Sequence, residues 1–419
     1  MSAVGEPLFD LEPPRPGVRV RFDIDDPLLA AAAWSRLAEP GDVVAGALVA
    51  HLGAVGALGW LLDAATDPAR VLRGEELSRL AAAVQEGTLR RLTDAVGRWS
   101  QRLASLDPRR ELRVLHQYDG ALLTPADPRW PTSLADLGIA GPFALWVRGA
   151  ADLATWSSRS VAVVGARAAT SYGERVAEDL SAALVDRGFT VVSGGAYGID
   201  AAAHRGAVAG GGATCAVLAG GVDRFYPQGN DSLLRRVVDS GGAVVSEVPP
   251  GSAPFRQRFL SRNRIIAAVT GATVVVEAAR RSGALSTARR AAELHRPVGA
   301  VPGPVTSMAS AGCHGLLRDG AAVCVTDASE AAELAGALGT DAVPAGAGDG
   351  PQQDPRAGLG PDELLVLDAL PARAAATVDA LARTAGLPPR RVVTVLGGLD
   401  RRGLARRDGA RWRGAGAGR

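Results

Sequence analysis

From Val161 to Ala288 the chain repeats one pattern: a short apolar run, a glycine-bearing loop, then a helix-forming segment. The apolar runs predict strands near 161–164, 190–193, 214–218, 243–246, 273–276 and 298–301. Strand, tight loop and helix in succession are the sequence form of a parallel sheet wound on both faces. Such sheets bind their ligands in the loops at the carboxyl ends of the strands. The expected fold is therefore α/β, with an extended Rossmann-like, doubly wound parallel sheet over residues 111–335.

The flanks read differently. Residues 1–26 are acidic and proline-bearing, and are expected to form a disordered lead. Residues 27–110, with segments such as PLLAAAAWSRLAEPG, predict short helices separated by glycine-bearing breaks. This is the pattern of a small helical domain of the SAM or helix-hairpin kind, expected to pack rather than to bind. Residues 127–149 read as a connector whose Trp130 and Trp146 pin that domain to the sheet. Residues 336–360 are rich in Gly, Pro, Ala and Asp and read as a flexible linker. Residues 361–419 predict three helices and then LARRDGARWR, with a hairpin turn at Asp408-Gly409. That order describes a winged helix, whose third helix displays Arg390 and Arg391 as a secondary DNA contact.

A chain of 419 residues exceeds one ordinary core, so two or three domains are expected. No apolar run reads as a membrane span and the first residues lack a signal peptide, so the expected location is cytoplasmic, with no membrane partner. Cys215, Cys313 and Cys324 show no metal or redox spacing and read as buried small apolar side chains, so neither a metal nor a cofactor is expected. All 46 basic residues are arginine, against 44 acidic ones, for a net charge of +2. The distribution is more informative than the sum. Nine arginines and two glutamates fall between Arg256 and Arg296, and nine arginines and two aspartates between Pro388 and Arg419. Each island carries +7, which leaves −12 for the rest of the chain and suggests two polyanion contacts.

Four loops carry the candidate chemistry. Gly165 and Arg167 follow the first strand, where a glycine permits a sharp turn and close approach of a phosphate. The second strand ends in Ser193-Gly194-Gly195, followed by Tyr197, with no acidic residue placed to hold a ribose, so a dinucleotide is disfavoured. In FLSRNR, Phe259 can stack a base while Arg262 and Arg264 take phosphates beside Asn263; the competing expectation is that one arginine pairs with Glu247 or Glu277. Ser282, Gly283, Ser286 and Thr287 open a helix after VVVE and read as an anion nest. Asp200 and His204 lie four apart on one helix face, with no nucleophile or metal set, and read as structural. An anionic backbone that is held rather than cut is the expected ligand, and no catalytic residue is assigned.

In order, VGARAATSYG, SGGAYGIDAAAH, GGATCAVLAGGVDRFYPQGN, SEVPPGSAPFRQRFLSRNRIIA and VVEAARRSGALSTA closely resemble the motifs of the DNA-processing protein A (DprA, or Smf) family. The resemblance implies a cytoplasmic bacterial protein that binds single-stranded DNA, loads RecA recombinase onto it during natural transformation, and self-associates into a homodimer. It also implies that Arg167, Gly194, Arg262, Asn263, Gly283 and Thr287 line a DNA pocket and that Phe259 touches a base. Two departures stand out: SGGAYGID places Tyr197 where the family has an arginine, and FLSRNR lacks the family's proline before Ser261.

Two rival readings remain. The strand-and-nest design is also similar to nucleotide phosphoribohydrolases, yet Arg290 occupies the position of their catalytic glutamate, which opposes glycosidic cleavage. A duplex-DNA-binding regulator acting through the winged helix fits the tail but leaves most of the chain unexplained.

Overall fold

The computed structural model describes residues 20–67, 88–150, 152–336, 341, 359–371 and 375–414. The expected lead up to residue 19 and most of the expected linker lie outside them. The described chain divides into two compact units, Met1–Val343 and Pro344–Arg419.

The first unit begins with α1 (Pro27–Leu37), α2 (Val43–Thr66), α3 (Thr88–Leu103) and α4 (Pro108–His116). Asp26 and Asp42 cap α1 and α2 by accepting two backbone N–H groups each, which the sequence signals as an aspartate before an apolar run. Trp34 and Trp99 meet edge to face at 5.3 Å between ring centroids and anchor the cluster of α1, α2 and α3. By length and composition α2 could cross a membrane, which corrects the expectation that no apolar run reaches that length. Its path is broken at Gly53 (φ +72°, ψ 166°), and Leu48, Leu58, Trp60 and Leu61 are buried in the helical cluster. These helices pack on the sheet. The Trp146 indole donates to Ser35 Oγ at 3.1 Å, a buried tie between the two parts.

The sheet has nine strands in the order β1-β2-β6-β5-β4-β3-β7-β8-β9. Six lie where the apolar runs place them: β3 (Ser160–Val164), β4 (Thr190–Ser193), β5 (Thr214–Leu218), β6 (Ala243–Ser246), β7 (Ala272–Val275) and β8 (Val298–Ala300). They are parallel to their neighbours. Both faces are covered, which is why these strands read as unbroken apolar runs. Val161 and Val163 of β3 face one cluster with α6 (Ser171–Asp186), α7 (Ile199–Ala209) and α12 (Ala328–Ala335), while Ala162 and Val164 face the other. That second face is covered by α9 (Arg256–Val269), α10 (Ala284–Glu293) and α11 (Ala311–Arg318).

The connector reading of 127–149 needs correction at its end. Residues Leu145–Gly149 form β2, which pairs antiparallel with β6 and with β1 (Ala121–Leu123). At the other edge lies the two-residue strand β9 (Val323–Cys324). Cys324 is exposed there, against expectation, while Cys215 and Cys313 are buried and their thiols are pushed up to about 12 and about 11 by burial. Two further helices, α5 (Leu153–Ser158) and α8 (Asp231–Asp239), lie in the connections from β2 to β3 and from β5 to β6.

The second unit contains α13 (Pro361–Ala369), α14 (Val378–Ala385), α15 (Pro389–Arg401) and a three-stranded antiparallel sheet in the order β10-β12-β11, in which β10 is the two-residue strand Ala376–Thr377. Its core is Val366, Leu381, Val392, Leu396 and Leu399. The hairpin joins β11 (Ala405–Asp408) to β12 (Arg411–Gly414) with Gly409 at φ +60° in the turn. Arg390 is exposed, and Arg391 donates to Asp362 at 2.6 Å.

Candidate functional site

Strand order reverses at β3, whose neighbours are β4 on one side and β7 on the other. This is where an open α/β sheet leaves a crevice beyond its strand ends. A groove of about 810 Å³ opens there. Its walls come from the loop after β3, the loop after β7 and the first half of α9. The second half of α9, from Ile265 to Val269, is buried against the sheet, so the helix is held at one end and presents the other.

Of the expected residues, Gly165, Arg167, Phe259, Arg262, Asn263, Ser282, Gly283 and Thr287 line this groove. Phe259 lies between two partners. The Arg167 guanidinium sits 4.7 Å from its ring centroid and the Tyr226 ring 5.9 Å away. Tyr226 and Phe255 are about half exposed and also line the groove, so several aromatic faces border the same space. Neither had been singled out from sequence; an aromatic beside a proline and another just before the FLSRNR helix were the available signals.

Other expected contacts are corrected by their surroundings. Ser193 is fully buried and donates its hydroxyl to the Val163 carbonyl at 2.7 Å. Gly194 is closed off by Arg262: a Cβ there would fall 2.3 Å from Nη1. Gly195 (φ +67°) backs onto Leu218 and Leu234. Tyr197 is exposed but lies against Gly229 rather than in the groove. Arg264 is buried and donates to Glu247 at 2.6 Å, the competing expectation for this arginine. Ser286 lines an adjoining groove instead.

Arg262 is itself deeply placed. It donates to the carbonyls of Gly194, at 2.7 Å, and Val217. Burial lowers its pKa to about 10, opposed by the nearby Asp200 charge, so it stays a cation at neutral pH. One edge reaches the groove while the rest ties α9 to the ends of β4 and β5.

Asp200 explains the loops' hydrogen bonding. Its carboxylate accepts from the N–H of Gly194 at 3.2 Å and of Ala196 at 3.4 Å, and from the Gly165 N–H. Burial pushes its pKa up, and the Arg262 charge and these N–H donors oppose that push. The N–H groups that a Rossmann-like sheet would offer to a pyrophosphate are thus occupied by the protein's own carboxylate. Gly165 itself is required by packing: a Cβ there would fall 2.5 Å from Ile199 and 2.9 Å from the Glu277 carbonyl. Glu277 closes the neighbouring loop, accepting from Thr170 N–H at 2.9 Å and Thr170 Oγ1 at 2.6 Å.

His204, one turn along α7, has its Nδ1 2.8 Å from Thr214 Oγ1, whose hydroxyl donates to the Val191 carbonyl at 2.7 Å. Burial lowers its pKa to about 3, with the Arg262 charge pressing the same way. A neutral imidazole bound to Thr214 is no partner for Asp200 in acid–base chemistry. The groove therefore offers aromatic faces, a buried cation and small side chains, a surface suited to holding a polyanion with unpaired bases.

The chain matches the family described as DNA recombination-mediator protein A over residues 121–336. It is 45% identical to the putative DNA processing protein DprA of Mycobacterium tuberculosis over 405 residues, covering 93% of this chain and 95% of that one. It is 41% identical over 213 residues to protein Smf of Escherichia coli, covering 50% of this chain and 56% of the relative. The X-ray structure of DprA from Streptococcus pneumoniae superposes with a TM-score of 0.50 at 34% identity, covering 57% of this chain and 84% of that chain.

Proposed function

This chain belongs to the DNA recombination-mediator protein A family, whose curated members include DprA and Smf, and from that premise we propose that it holds single-stranded DNA in the groove beyond β3 and β7. The observation that carries this reading is the Arg167–Phe259–Tyr226 arrangement facing an open groove, with three of the neighbouring loop N–H groups already taken by Asp200. Base faces stack on the aromatic rings, while Arg167, Arg262 and Asn263 meet the backbone. Stacking tolerates any base, so the site reads no sequence.

On this reading the protein coats incoming strands as a homodimer in the cytoplasm and presents them to RecA during natural transformation. The family membership supports this assignment, and the expectation of binding without catalysis follows from the groove's side chains. The carboxylate in it, Asp200, is committed to loop N–H groups. Arg290, at the position that would carry a phosphoribohydrolase glutamate, pairs with Glu293 at 2.7 Å outside this groove. We read the second unit as a winged helix whose exposed Arg390 and basic hairpin assist on duplex or junction DNA.

The test is fluorescence anisotropy with labelled oligo-dT and a matched duplex at two salt concentrations, comparing the protein with Phe259→Ala. Tight, salt-sensitive preference for the single strand is expected, with Phe259→Ala weakening it by about 1–3 kcal/mol per lost stacked base. Preference for duplex, or an unchanged affinity in Phe259→Ala, would remove the groove assignment. Assembly of RecA filaments on the bound strand then tests the loading role, and light scattering tests the dimer.

A further inference from the structure

The central basic island divides into two sets once its partners are known. Of the nine arginines between Arg256 and Arg296, four hold the fold. Arg258 donates to Glu39 at 2.8 Å, Arg262 to backbone carbonyls, Arg264 to Glu247, and Arg296 to Asp136 at 2.9 Å and to two carbonyls at the end of α9. The other five, Arg256, Arg280, Arg281, Arg289 and Arg290, line a second groove of about 680 Å³.

This second groove joins the first across a lip made by Arg256, Leu260 and Ser282-Gly283, which line both. A Cβ built at Gly283 would meet nothing within 4 Å, so the lip is open. Its chemistry is unlike the first groove's. Among the described residues, no aromatic ring and no carboxylate line it. Among the described residues, Glu293 is the only acid bonded to any of the five, and it engages Arg290 alone. Arg256, Arg280 and Arg281 have neither hydrogen-bond nor ion-pair partners among the described residues, and all three are exposed. Like charges gathered without counter-ions do nothing for the fold; they favour whatever anion neutralises them.

We propose that the second groove is a backbone track: the strand whose bases stack in the first groove continues over Gly283, and its next phosphates are neutralised by Arg256, Arg280, Arg281 and Arg289. This rests on the single-strand reading of the first groove and extends it. The two grooves divide the work. One holds bases and fixes where the strand sits; the other grips phosphates without regard to base and sets how long a strand is needed for full affinity.

The test measures anisotropy with oligo-dT from about four to about sixteen nucleotides, comparing the full chain with Arg280→Glu/Arg281→Glu. Both positions are exposed and unpartnered, so the melting temperature should stay within the wild-type range, which is checked in parallel. The wild-type affinity is expected to rise with length. The variant should match it on the shortest strand and lose about tenfold on the longest, with a salt slope lower by about 1.4, or two phosphates at about 0.7 each. An equal loss at every length would place these arginines in the first groove and overturn the track, as would no loss at any length. Failure of the wild type to bind any length would instead remove the single-strand reading itself.

Discussion

Two arginine-lined surfaces lie side by side beyond the strand ends of this sheet, and they use the same side chain for opposite purposes. At and beneath the first groove, two guanidinium groups are structural members: Arg262 spans two strand ends and Arg264 is locked to Glu247. In the second, Arg280 and Arg281 stand exposed without partners among the described residues. The difference is one of neighbours, since all these residues come from the same +7 stretch. A count of basic residues therefore overstates the charge available to a ligand. What counts is the set that the protein has not already neutralised.

The largest expected effect tests the structural side of this contrast. Arg264→Ala leaves Glu247 buried without its cation and should cost about 3–5 kcal/mol of stability by chemical denaturation. Replacing both partners with apolar residues should recover most of that loss, because no charge is then stranded. If Arg264→Ala melts like the wild type, the two sets of arginines are not distinct.

Next comes Gly194→Ala, whose Cβ would meet the Arg262 guanidinium at 2.3 Å. Overpacking of this kind costs about 1–3 kcal/mol, and displacement of Arg262 should also weaken single-strand binding. A variant with native stability and binding would mean that Arg262 is free to move. A pH series probes the same buried network. His204 has a folded pKa of about 3 against an ordinary 6.5, so between those values the unfolded chain binds a proton that the folded chain refuses. Stability should therefore rise with pH across that window and, through this group, level off above it. His204→Gln should reduce the slope by one proton, about 1.4 kcal/mol per pH unit at most. An identical slope in wild type and variant would show that the imidazole titrates normally in the fold. Smallest of all should be Arg280→Ala, expected to change stability by less than about 0.5 kcal/mol, as surface substitutions do. A larger loss would reveal a structural partner for it.

Much of this was legible in the sequence, for physical reasons that differ by region. The six parallel strands are buried on both faces, so each stands out as an apolar run between glycine-bearing loops. β2 was hidden because LWVRG is short and carries Arg148, and because, pairing antiparallel with β6, it stands outside the repeated strand–loop–helix pattern of the parallel strands. In the groove, Phe259, Arg167 and the Ser282-Gly283 turn were recognisable as residue types suited to bases and phosphates. Which arginine would be consumed was not. Arg262 and Arg264 differ by two positions, and only the approach of Glu247, seventeen residues earlier, takes one of them out of play. Asp200 shows the reverse. Its place at a helix start suggested a structural role, and the structure makes it the acceptor for three loop N–H groups.

That carboxylate has a consequence for life in a crowded metabolite pool. A Rossmann-like crevice with bare loop amides would be a standing invitation to ATP, NAD and every other abundant nucleotide. Here the protein supplies its own anion from within and leaves those amides nothing to offer. On the proposed single-strand reading, small nucleotides should then be poor competitors, however concentrated, while a long strand would still find rings and guanidinium groups along the groove. Selectivity against monomers would be built in before any polymer arrives.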